Sequence, residues 1–339
     1  MGPDDFAYHL PDPAIAQIPL ADRPSARLLD ALAEPVAHRT VGDLPSLVGP
    51  GDVLVVNDTR VLPARLRAVR PTGGAAEVLL LRAVDDEGTW EALVRPSRKL
   101  PPGSTLTVAP GLAVAVADDL GEGRRHVRLS SDGPLADALD RCGETPVPPY
   151  LTTTLDDPER YQTGYSRRPA AAAAPTAGLH LTDGVLMACR SAGARVECLE
   201  LVVGLDTFRP ITADDLDDHR MHCEDYEVPQ ATLEACRDAQ RVIAVGTTTV
   251  RALESAARYG LDGRTDLFIR PGFGFSVVDV LLTNFHLPRS SLLVLLEAFA
   301  GPRWRDLYAT ALQEGYRFLS FGDAMLVGRA DAKGGAISR

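Results

Sequence analysis

Apolar and polar positions alternate along this chain in two different ways, which predict two kinds of structure. Between about residues 65 and 129 the apolar runs are short, and Gly, Pro and Asp separate them at near-regular intervals. These runs read EVLLLRAV, TWEALVR, STLTVA, LAVAVA and RHVRL. Short β-rich runs with this punctuation are typical of antiparallel strands. The stretch is therefore predicted to form a small antiparallel β-barrel.

Beyond Pro146 the pattern changes to longer apolar runs followed by segments with helical spacing. ARVECLELVV predicts a buried strand, and RVIAVGTTTVRALESAARYG predicts a strand, a tight loop and a helix that begins near Val250. DVLLTNFHLP predicts a strand with a polar end, as does the earlier GDVLVVNDTR. Thr182 and either Ser290 or Ser291 are suited to cap helices. Alternating strands and helices of this kind predict an α/β domain.

The two patterns together predict the domain organisation. The predicted fold class is α/β, with a sandwich-type main domain made of residues 1–60 and 150–339. The antiparallel β-barrel is predicted to be inserted as residues 61–149. Open α/β sheets bind ligands at the carboxyl ends of their strands. A ligand is therefore expected where the apolar strands change to polar residues.

Composition narrows the class of protein. Hydrophobic residues make up 45% of the 339 residues and charged residues 24%, close to the average of soluble proteins, which excludes collagen-like, coiled-coil and wholly disordered chains. The net charge of -11 means that an anionic partner needs a local basic patch. Residues 60–100 hold eight basic and five acidic side chains, a local excess of +3. This excess suits binding to a phosphate backbone, although charge alone favours an ordinary solvated strand surface.

The cysteines and the apolar runs indicate the compartment. Five cysteines without CxxC spacing predict neither a disulfide framework nor a zinc ribbon. The first fifteen residues contain no Lys or Arg, unlike a signal peptide. The strongest apolar run, residues 292–300, is interrupted by Glu297 and falls short of the ~20 residues that cross a bilayer. We expect a cytoplasmic protein without a membrane span, and nothing in the sequence requires more than a monomer.

The segment GTTT is the strongest candidate binding site. Gly246, Thr247, Thr248 and Thr249 lie between a predicted strand and a predicted helix, where backbone N–H groups and the helix dipole attract a carboxylate, a phosphate or a ribose. The alternative is that Thr248 or Thr249 only caps the helix. The segment lacks the Gly-Lys-Ser/Thr ending of a Walker motif and is not a GxGxxG fingerprint.

Two histidines are candidate general bases. His180 ends the segment APTAGLH, together with Thr176 and Gly178, and His286 follows the strand that ends in TNFHLP. The pKa of free histidine lies near neutrality, which suits proton transfer. For each of them the alternative is an ordinary structural hydrogen-bond donor.

The segment DDHRMHCEDYEVP has the residue types of a metal site but not the spacing. It contains neither paired Cys and His spacings nor HExxH, so no metal is predicted. Substrate contact through His222 and Glu224 is the better interpretation, and a hydrogen-bonded surface turn is the alternative.

These segments form a set that resembles a known family. VNDTRVLPARL, ERYQTGYS, APTAGLH, MHCEDYEVP, VIAVGTTTVRALESA, LLTNFHLPRSSLL, AFAG and YRFLSFGDAML, in this order, strongly resemble the S-adenosylmethionine:tRNA ribosyltransferase-isomerase family of queuosine biosynthesis. The resemblance extends from DFAYHLP to GDAML, nearly the whole chain.

The resemblance implies an enzyme that uses S-adenosylmethionine as a ribosyl donor and co-substrate, with no metal or redox cofactor. The acceptor in the family is 7-aminomethyl-7-deazaguanine at the wobble position of the tRNA anticodon. The products are epoxyqueuosine in tRNA, adenine and methionine. The family also has an α/β domain with an inserted β-barrel. Its tRNA partner would need the local basic patch noted above.

The resemblance also assigns expected roles to residues. His180 and His286 are the candidate bases. The expected substrate-binding residues are Asn57, Asp58, Thr59, Arg60, Thr176, Gly178, Leu179, His222, Glu224, Gly246, Thr247, Thr248, Arg251, Phe273, Asn284 and Phe285. Among the aromatic residues, Phe273, Phe285 or Tyr165 is suited to stack on a base.

The chain departs from the family pattern near the candidate site, which keeps two other functions open. The loop before APTAGLH reads SRRPAAAA, where a glycine is common, and Leu181 stands where a phenylalanine usually follows the histidine. Where HVGxGTFQPV is expected, the chain reads VVGLDTFRPI, with Val202, Asp206 and Arg209 at the changed positions. The first alternative is a paralogue that uses the same donor chemistry on a small-molecule amine. The second is a non-catalytic RNA-binding relative, against which the intact NDTR, GLH, GTTT and NFH segments argue.

Overall fold

The computed structural model of the chain describes residues 1–85, 87–204 and 210–330. These residues divide into two compact units. The first unit comprises the described parts of Met1–Thr59, Pro148–Arg168 and Ala174–Arg339. The second comprises the described parts of Arg60–Val147 and Pro169–Ala173. The positions 206 and 209, which distinguish this chain from the family pattern, lie outside the described residues.

The first unit is built on a nine-stranded sheet. Its strands are β1 (Arg27–Asp30), β2 (Ala37–Thr40), β3 (Asp52–Asn57), β13 (Arg195–Leu201), β14 (Glu224–Glu227), β15 (Arg241–Val245), β16 (Asp262–Thr265), β17 (Val280–Asn284) and β18 (Ala324–Gly328). They lie in the order β16-β14-β13-β3-β15-β17-β18-β1-β2. The numbers missing from this series belong to the second unit.

Four neighbouring strands at the centre of the sheet, β13, β3, β15 and β17, run parallel to one another. Every residue of β3 and of β17 is buried, which explains their continuous apolar runs. Because the strands are parallel, their carboxyl ends lie at the same edge of the sheet. Asn57, Leu201, Val245 and Asn284 end the four strands at this edge.

Helices cover the sheet on two sides. The helices of this unit are α2 (Asp183–Ser191), α3 (Gln230–Asp238), α4 (Thr247–Tyr259), α5 (Ser291–Ala300) and α6 (Trp304–Gln313). Residues of α2 pack with alternate residues of β3 in one apolar cluster. Helices α3 and α4 contact the same strand, but none of their residues belongs to that cluster. Thr182 caps α2 and Ser290 caps α5, as the sequence indicated. None of the described helices is long and apolar enough to cross a membrane.

The start of α4 corrects one expectation. The helix begins at Thr247 instead of near Val250. Gly246 takes a φ of +90°, which an L side chain rarely adopts, and this conformation turns the strand directly into the helix. No side chain caps α4, so neither Thr248 nor Thr249 is the helix cap.

The second unit is a barrel. Its strands are β5 (Arg65–Val69), β6 (Ala75–Ala83), β7 (Thr89–Arg95), β8 (Thr105–Ala109), β9 (Leu112–Gly121), β10 (Arg124–Ser131) and β11 (Gly143–Glu144), and α1 (Leu135–Cys142) precedes the last of these. All pairs are antiparallel, and the pairing of β5 with β8 closes the barrel. Short β4 (Arg60–Val61) and β12 (Pro169–Ala171) pair separately. The predicted fold class, α/β with an inserted antiparallel β-barrel, is therefore confirmed.

Candidate active site

A cleft opens in the first unit where β15 and β17 end. The cleft is lined by Tyr150, Ala174, Pro175, Thr176, Ala177, Val203, Gly246, Thr247, Thr248, Thr283, Asn284, Phe285, His286, Leu287, Ser290, Leu292, Leu319 and Ser320. We call it the threonine cleft. It brings together the segments APTAGLH, GTTT and TNFHLP, which lie far apart in the sequence.

The start of α4 forms one wall of the threonine cleft. Gly246, Thr247 and Thr248 line it, and the first N–H groups of a helix have no partner within that helix. The Oγ1 atom of Thr248 is buried and has no hydrogen-bond partner among the described residues. The next hydroxyl differs, since Thr249 Oγ1 donates to the carbonyl of Val245 at 2.7 Å. The start of α4 therefore presents hydrogen-bonding groups to the cleft that the protein itself does not use.

Asn284 connects the end of β17 to the segment APTAGLH. Thr176 Oγ1 donates to Asn284 Oδ1 at 2.9 Å, and Asn284 Nδ2 donates to the carbonyl of Asp323 at 3.3 Å. The same Nδ2 atom lies 3.5 Å from His180 Nε2. Three buried partners thus fix the amide in one orientation, so Thr176 and Asn284 form a rigid part of the cleft wall.

His286 lines the threonine cleft in the uncharged state. Burial lowers its pKa to about 3. Its Nε2 atom lies 2.9 Å from Thr283 Oγ1. Its backbone is held on both sides, because the Tyr308 hydroxyl accepts from its N–H at 2.8 Å and the Tyr8 hydroxyl donates to its carbonyl. The imidazole is therefore positioned and able to accept a hydrogen bond or a proton.

His180 lies outside the threonine cleft. It lines a smaller cavity of about 240 Å³ with Leu179, Arg23 and Arg160 among its neighbours. Burial, followed by the charges of Arg23 and Arg317, lowers the pKa of His180 to about 4. The two candidate bases therefore occupy different cavities, and Asn284 lies between them.

Gly178 has a packing role in the same segment. A Cβ atom at this position would lie 2.0 Å from the Tyr165 hydroxyl, so a larger residue would displace that ring. Tyr165 packs against the core cluster of the sheet and does not line either cavity. The segment therefore needs a glycine for the close approach of the tyrosine.

Glu224 and Arg251 form a buried ion pair instead of a surface turn. Arg251 Nη1 donates to Glu224 Oε2, while His222 Nε2 lies 3.1 Å from Oε1 and the N–H of Gly204 donates to Oε1 at 3.0 Å. Burial by itself would raise the pKa of Glu224, but Arg251, His222 and Gly204 outweigh it and lower this pKa to about 2. Arg251 also donates to the carbonyls of Leu267 and Thr265. These residues do not line the threonine cleft, and their hydrogen bonds are within the protein.

The NDTR segment mostly joins strands. Asn57 donates to the carbonyl of Leu201 at 2.9 Å and accepts from its N–H, which ties β3 to β13. Thr59 Oγ1 donates to Asn57 Oδ1 at 3.0 Å. Asp58 lies 3.3 Å from the Arg167 Nε atom; burial raises the pKa of this carboxyl and Arg167 opposes that shift. Arg60 begins β4 of the other unit.

The two phenylalanines are placed differently. Phe285 lines the threonine cleft and stacks on Phe318 with a centroid distance of 4.6 Å. Phe273 lies under the guanidinium of Arg258 at 4.4 Å and does not line the cleft. Because the Phe285 side chain is fully buried and packed against other rings, neither phenylalanine presents a free ring face to the cleft.

Sequence reasoning missed four polar residues of the cleft. The Tyr150 hydroxyl and Ser320 Oγ are 2.6 Å apart, and Thr283 and Ser290 contribute two more hydroxyls. Ser320 and Thr283 stand inside quoted family segments, so the motifs contained a signal for them. Tyr150 lies in the connection after Pro146 that contains several Pro and Thr residues, and the residue spacing there gives no signal of a site. Among the described residues, no group of three His, Cys, Asp or Glu is arranged to hold a metal.

Comparisons with known proteins agree with the motifs. The model of a family described as "Queuosine biosynthesis protein" matches residues 3–327. An S-adenosylmethionine:tRNA ribosyltransferase-isomerase from Rubrobacter xylanophilus is 49% identical over 331 residues, 96% of this chain and 98% of that protein. The enzyme of that name from Thermus thermophilus is 47% identical over 347 residues, 96% and 99% of the two chains.

A solved structure shares the fold. The crystal structure of an S-adenosylmethionine tRNA ribosyltransferase from Thermotoga maritima matches 95% of this chain and 99% of its own, with a TM-score of 0.53 and 34% sequence identity. The resemblance drawn from the motifs is thereby confirmed. The chain belongs to the queuosine biosynthesis family of S-adenosylmethionine:tRNA ribosyltransferase-isomerases.

Proposed function

We propose that this chain transfers the ribosyl unit of S-adenosylmethionine to 7-aminomethyl-7-deazaguanine at the wobble position of tRNA and isomerises it, releasing adenine and methionine. One observation carries the location of the reaction. The hydrogen bond from Thr176 to Asn284 joins two family segments in the threonine cleft, and the start of α4 supplies the third. The cleft is thus a place in the first unit where polar groups of three family segments meet.

The chemistry requires a proton acceptor. A sulfonium acidifies the adjacent C–H bonds, so a base that removes a proton from C5′ of the ribose starts ring opening with loss of adenine. An epoxide then forms, and attack by the acceptor amine with loss of methionine completes the transfer. No metal or redox cofactor enters this sequence of steps.

His286 is the proton acceptor that the geometry favours. It lines the cleft, whereas His180 lies in the smaller cavity. A pKa of about 3 leaves the imidazole unprotonated at neutral pH, as an acceptor must be. A base this weak accepts a proton more readily when a nearby negative charge favours the imidazolium. The proposed role therefore requires an anion in the same cleft once substrate has bound.

The barrel offers a basic patch for tRNA. Arg95, Arg98 and Lys99 are exposed and make no ion pair within the described part of the chain. Other barrel arginines are engaged with carboxylates, as Arg67 is with Glu77 at 2.9 Å. Phosphate binding is mostly electrostatic, so the three unpaired cations are the better candidates to contact the tRNA backbone.

The five free cysteines suit a reducing cytoplasm, where we place the enzyme as a monomer. The mass from sedimentation equilibrium checks the monomer directly. A dimer at working concentration would contradict this part of the proposal.

The test is to incubate the purified protein with S-adenosylmethionine and tRNA that carries 7-aminomethyl-7-deazaguanine. We expect adenine release and a gain in tRNA mass in equal amounts. Adenine release with small amines but not with tRNA would establish the paralogue instead. Binding of tRNA without adenine release under any of these conditions would establish the non-catalytic relative.

A further inference from the structure

Among the residues that the structure describes, none with a side chain charged at neutral pH lines the threonine cleft. Its described lining residues include no Asp, Glu, Lys or Arg, and its one histidine, His286, is unprotonated. Backbone dipoles are therefore the electrostatic feature that the described wall presents. The starts of α4 and α5 both line the cleft, but the Ser290 side chain caps α5, whereas no side chain caps α4. A helix N-terminus carries roughly half of a positive elementary charge.

The start of α4 is open to a ligand. The helix has 13 residues, and no side chain in the described part of the chain caps its first N–H groups. Gly246, which has no Cβ atom, precedes it, and a Cβ there would lie 3.5 Å from Thr248 Oγ1 and 3.6 Å from the Ala177 Cβ. The glycine therefore keeps the space beside the helix terminus clear.

Thr248 gives an independent indication of a ligand at this terminus. Its residue is 8% exposed, it lines the cleft, and its Oγ1 atom has no hydrogen-bond partner among the described residues. A buried hydroxyl without a partner is unfavourable unless a ligand supplies the missing hydrogen bond. The neighbouring Thr249 hydroxyl is satisfied within the helix. The Thr248 hydroxyl is therefore available to a ligand in the cleft, whereas the Thr249 hydroxyl is bonded within the protein.

We propose that the N-terminus of α4 and the Thr248 hydroxyl bind the carboxylate of the methionine portion of S-adenosylmethionine. This inference rests on the proposed function, which supplies the donor. The donor carries one negative group, the carboxylate, and two positive groups, the ammonium and the sulfonium. A positive helix terminus attracts the first and repels the other two, which fixes the direction in which the donor lies. The bound carboxylate also supplies the negative charge that His286 needs as a proton acceptor.

The experiment compares two ligands and three variants. Binding of S-adenosylmethionine and of decarboxylated S-adenosylmethionine is measured by isothermal titration calorimetry, with and without the substrate tRNA. Wild type is expected to bind the carboxylated donor at least 10-fold more tightly, in line with charge-assisted hydrogen bonds. Thr248→Val should weaken the carboxylated donor about 10-fold and leave the decarboxylated one unchanged. Thr248→Ser, which restores the hydroxyl, should recover most of this preference.

The matched control is Thr249→Val, the same substitution one residue further along the helix. Its hydroxyl does not face the cleft, so the preference for the carboxylated donor should stay at the wild-type value. Equal weakening of both ligands by Thr248→Val would overturn the proposal. Weakened tRNA binding with unchanged donor preference would assign the site to a tRNA phosphate and would also overturn it.

The two proposals fail in different ways. If wild type prefers the carboxylated donor but releases no adenine with tRNA, the transferase activity is wrong and the carboxylate site stands. If wild type modifies tRNA but binds both ligands equally, the activity stands and the carboxylate site is wrong.

Discussion

Helix α4 serves two polar regions that lie about one turn apart. At its start, Thr247 and Thr248 face the threonine cleft. In the described part of the chain, the wall of this cleft has no charged side chain and the Thr248 hydroxyl has no partner. Further along, Arg251 enters the Glu224 cluster, which is charged and closed by hydrogen bonds from Arg251, His222 and Gly204. Both regions belong to family segments, so the motifs alone do not distinguish them.

The two regions differ in whether their buried polar side chains already have partners in the described part of the protein. A buried charge that is fully paired supports the fold, and breaking its pair leaves an uncompensated charge. A buried donor that the protein leaves unpaired, beside open space, is suited to a ligand. This criterion supports our proposal that the threonine cleft binds substrate, whereas the Glu224 cluster joins β14 to α4.

The largest expected effect concerns the cleft. We expect His286→Ala to lower turnover by about 10²–10⁴-fold, the range for loss of a general base. S-adenosylmethionine binding should change little, because the imidazole acts in the chemical step. Adenine release in single-turnover experiments and calorimetric binding measure the two separately. His9→Ala, at an exposed position, is the control. An unchanged rate in His286→Ala would remove this residue from the role of base.

The next effect concerns the Glu224 cluster. Arg251→Met should reduce the free energy of unfolding by about 3–5 kcal/mol, because Glu224 would remain buried without its cation. Urea unfolding gives this value. Arg264→Met is the matched control, since Arg264 pairs with Asp225 at the surface and such pairs contribute about 1 kcal/mol or less. A loss as small as the control's would show that Arg251 belongs with the substrate-binding groups instead.

Acid should remove the stability provided by the buried histidines and that provided by Glu224 over different pH ranges. The pKa of His286 falls to about 3 and that of His180 to about 4 on folding, so the unfolded chain binds protons first as the pH drops. Stability conferred by these neutral histidines is complete above about pH 6.5 and is lost towards pH 3. Glu224, with a pKa of about 2, contributes fully above about pH 4.5 and loses its contribution below that.

Denaturant unfolding as a function of pH measures this separation. Each histidine should change the free energy of unfolding by up to about 1.4 kcal/mol per pH unit within its range. His180→Gln should flatten the curve between pH 6.5 and 4. Glu224→Gln should lower the whole curve, because Arg251 remains buried without its anion, but should change the slope only in the more acidic part. A Glu224→Gln variant that flattens the curve near pH 6 would contradict the assignment.

The smallest expected effect concerns the barrel, where we again compare unpaired side chains with paired ones. Arg95→Glu with Arg98→Glu should weaken tRNA binding and reduce the slope of log affinity against log salt by about 1–2, because fewer counterions are released. The matched double variant is Arg67→Glu with Arg128→Glu, whose wild-type arginines already pair with carboxylates. Equal losses in both double variants would assign the effect to overall charge and not to a patch.

The sequence predicted the strands and the fold class better than it predicted which side chains contact one another. The period-2 runs of the barrel and the apolar runs of β3 and β17 gave the fold class, because burial on one or both faces determines those patterns. The cleft was partly predictable, since GTTT and TNFHLP follow parallel strands. The separation of His180 from His286 was not, because it depends on how residues 175–180 pack against Asn284. The burial of Glu224 was missed because its strand is short and its partner Arg251 lies 27 residues away.

Tyr8 and Tyr308 hold the backbone of His286 from both sides like a clamp, and this has a consequence for the synthesis of the enzyme. Tyr8, which donates to the His286 carbonyl, is separated from it by 278 positions, and Tyr308 holds the other side of the same residue. A ribosome therefore synthesises the first part of this clamp long before the second. Deletions at the beginning of the chain that remove Tyr8 should loosen this imidazole, whereas a stop before codon 308 also removes β18, which lies between β17 and β1 in the sheet. Activity, more than solubility, is the property by which the N-terminal deletions should be judged.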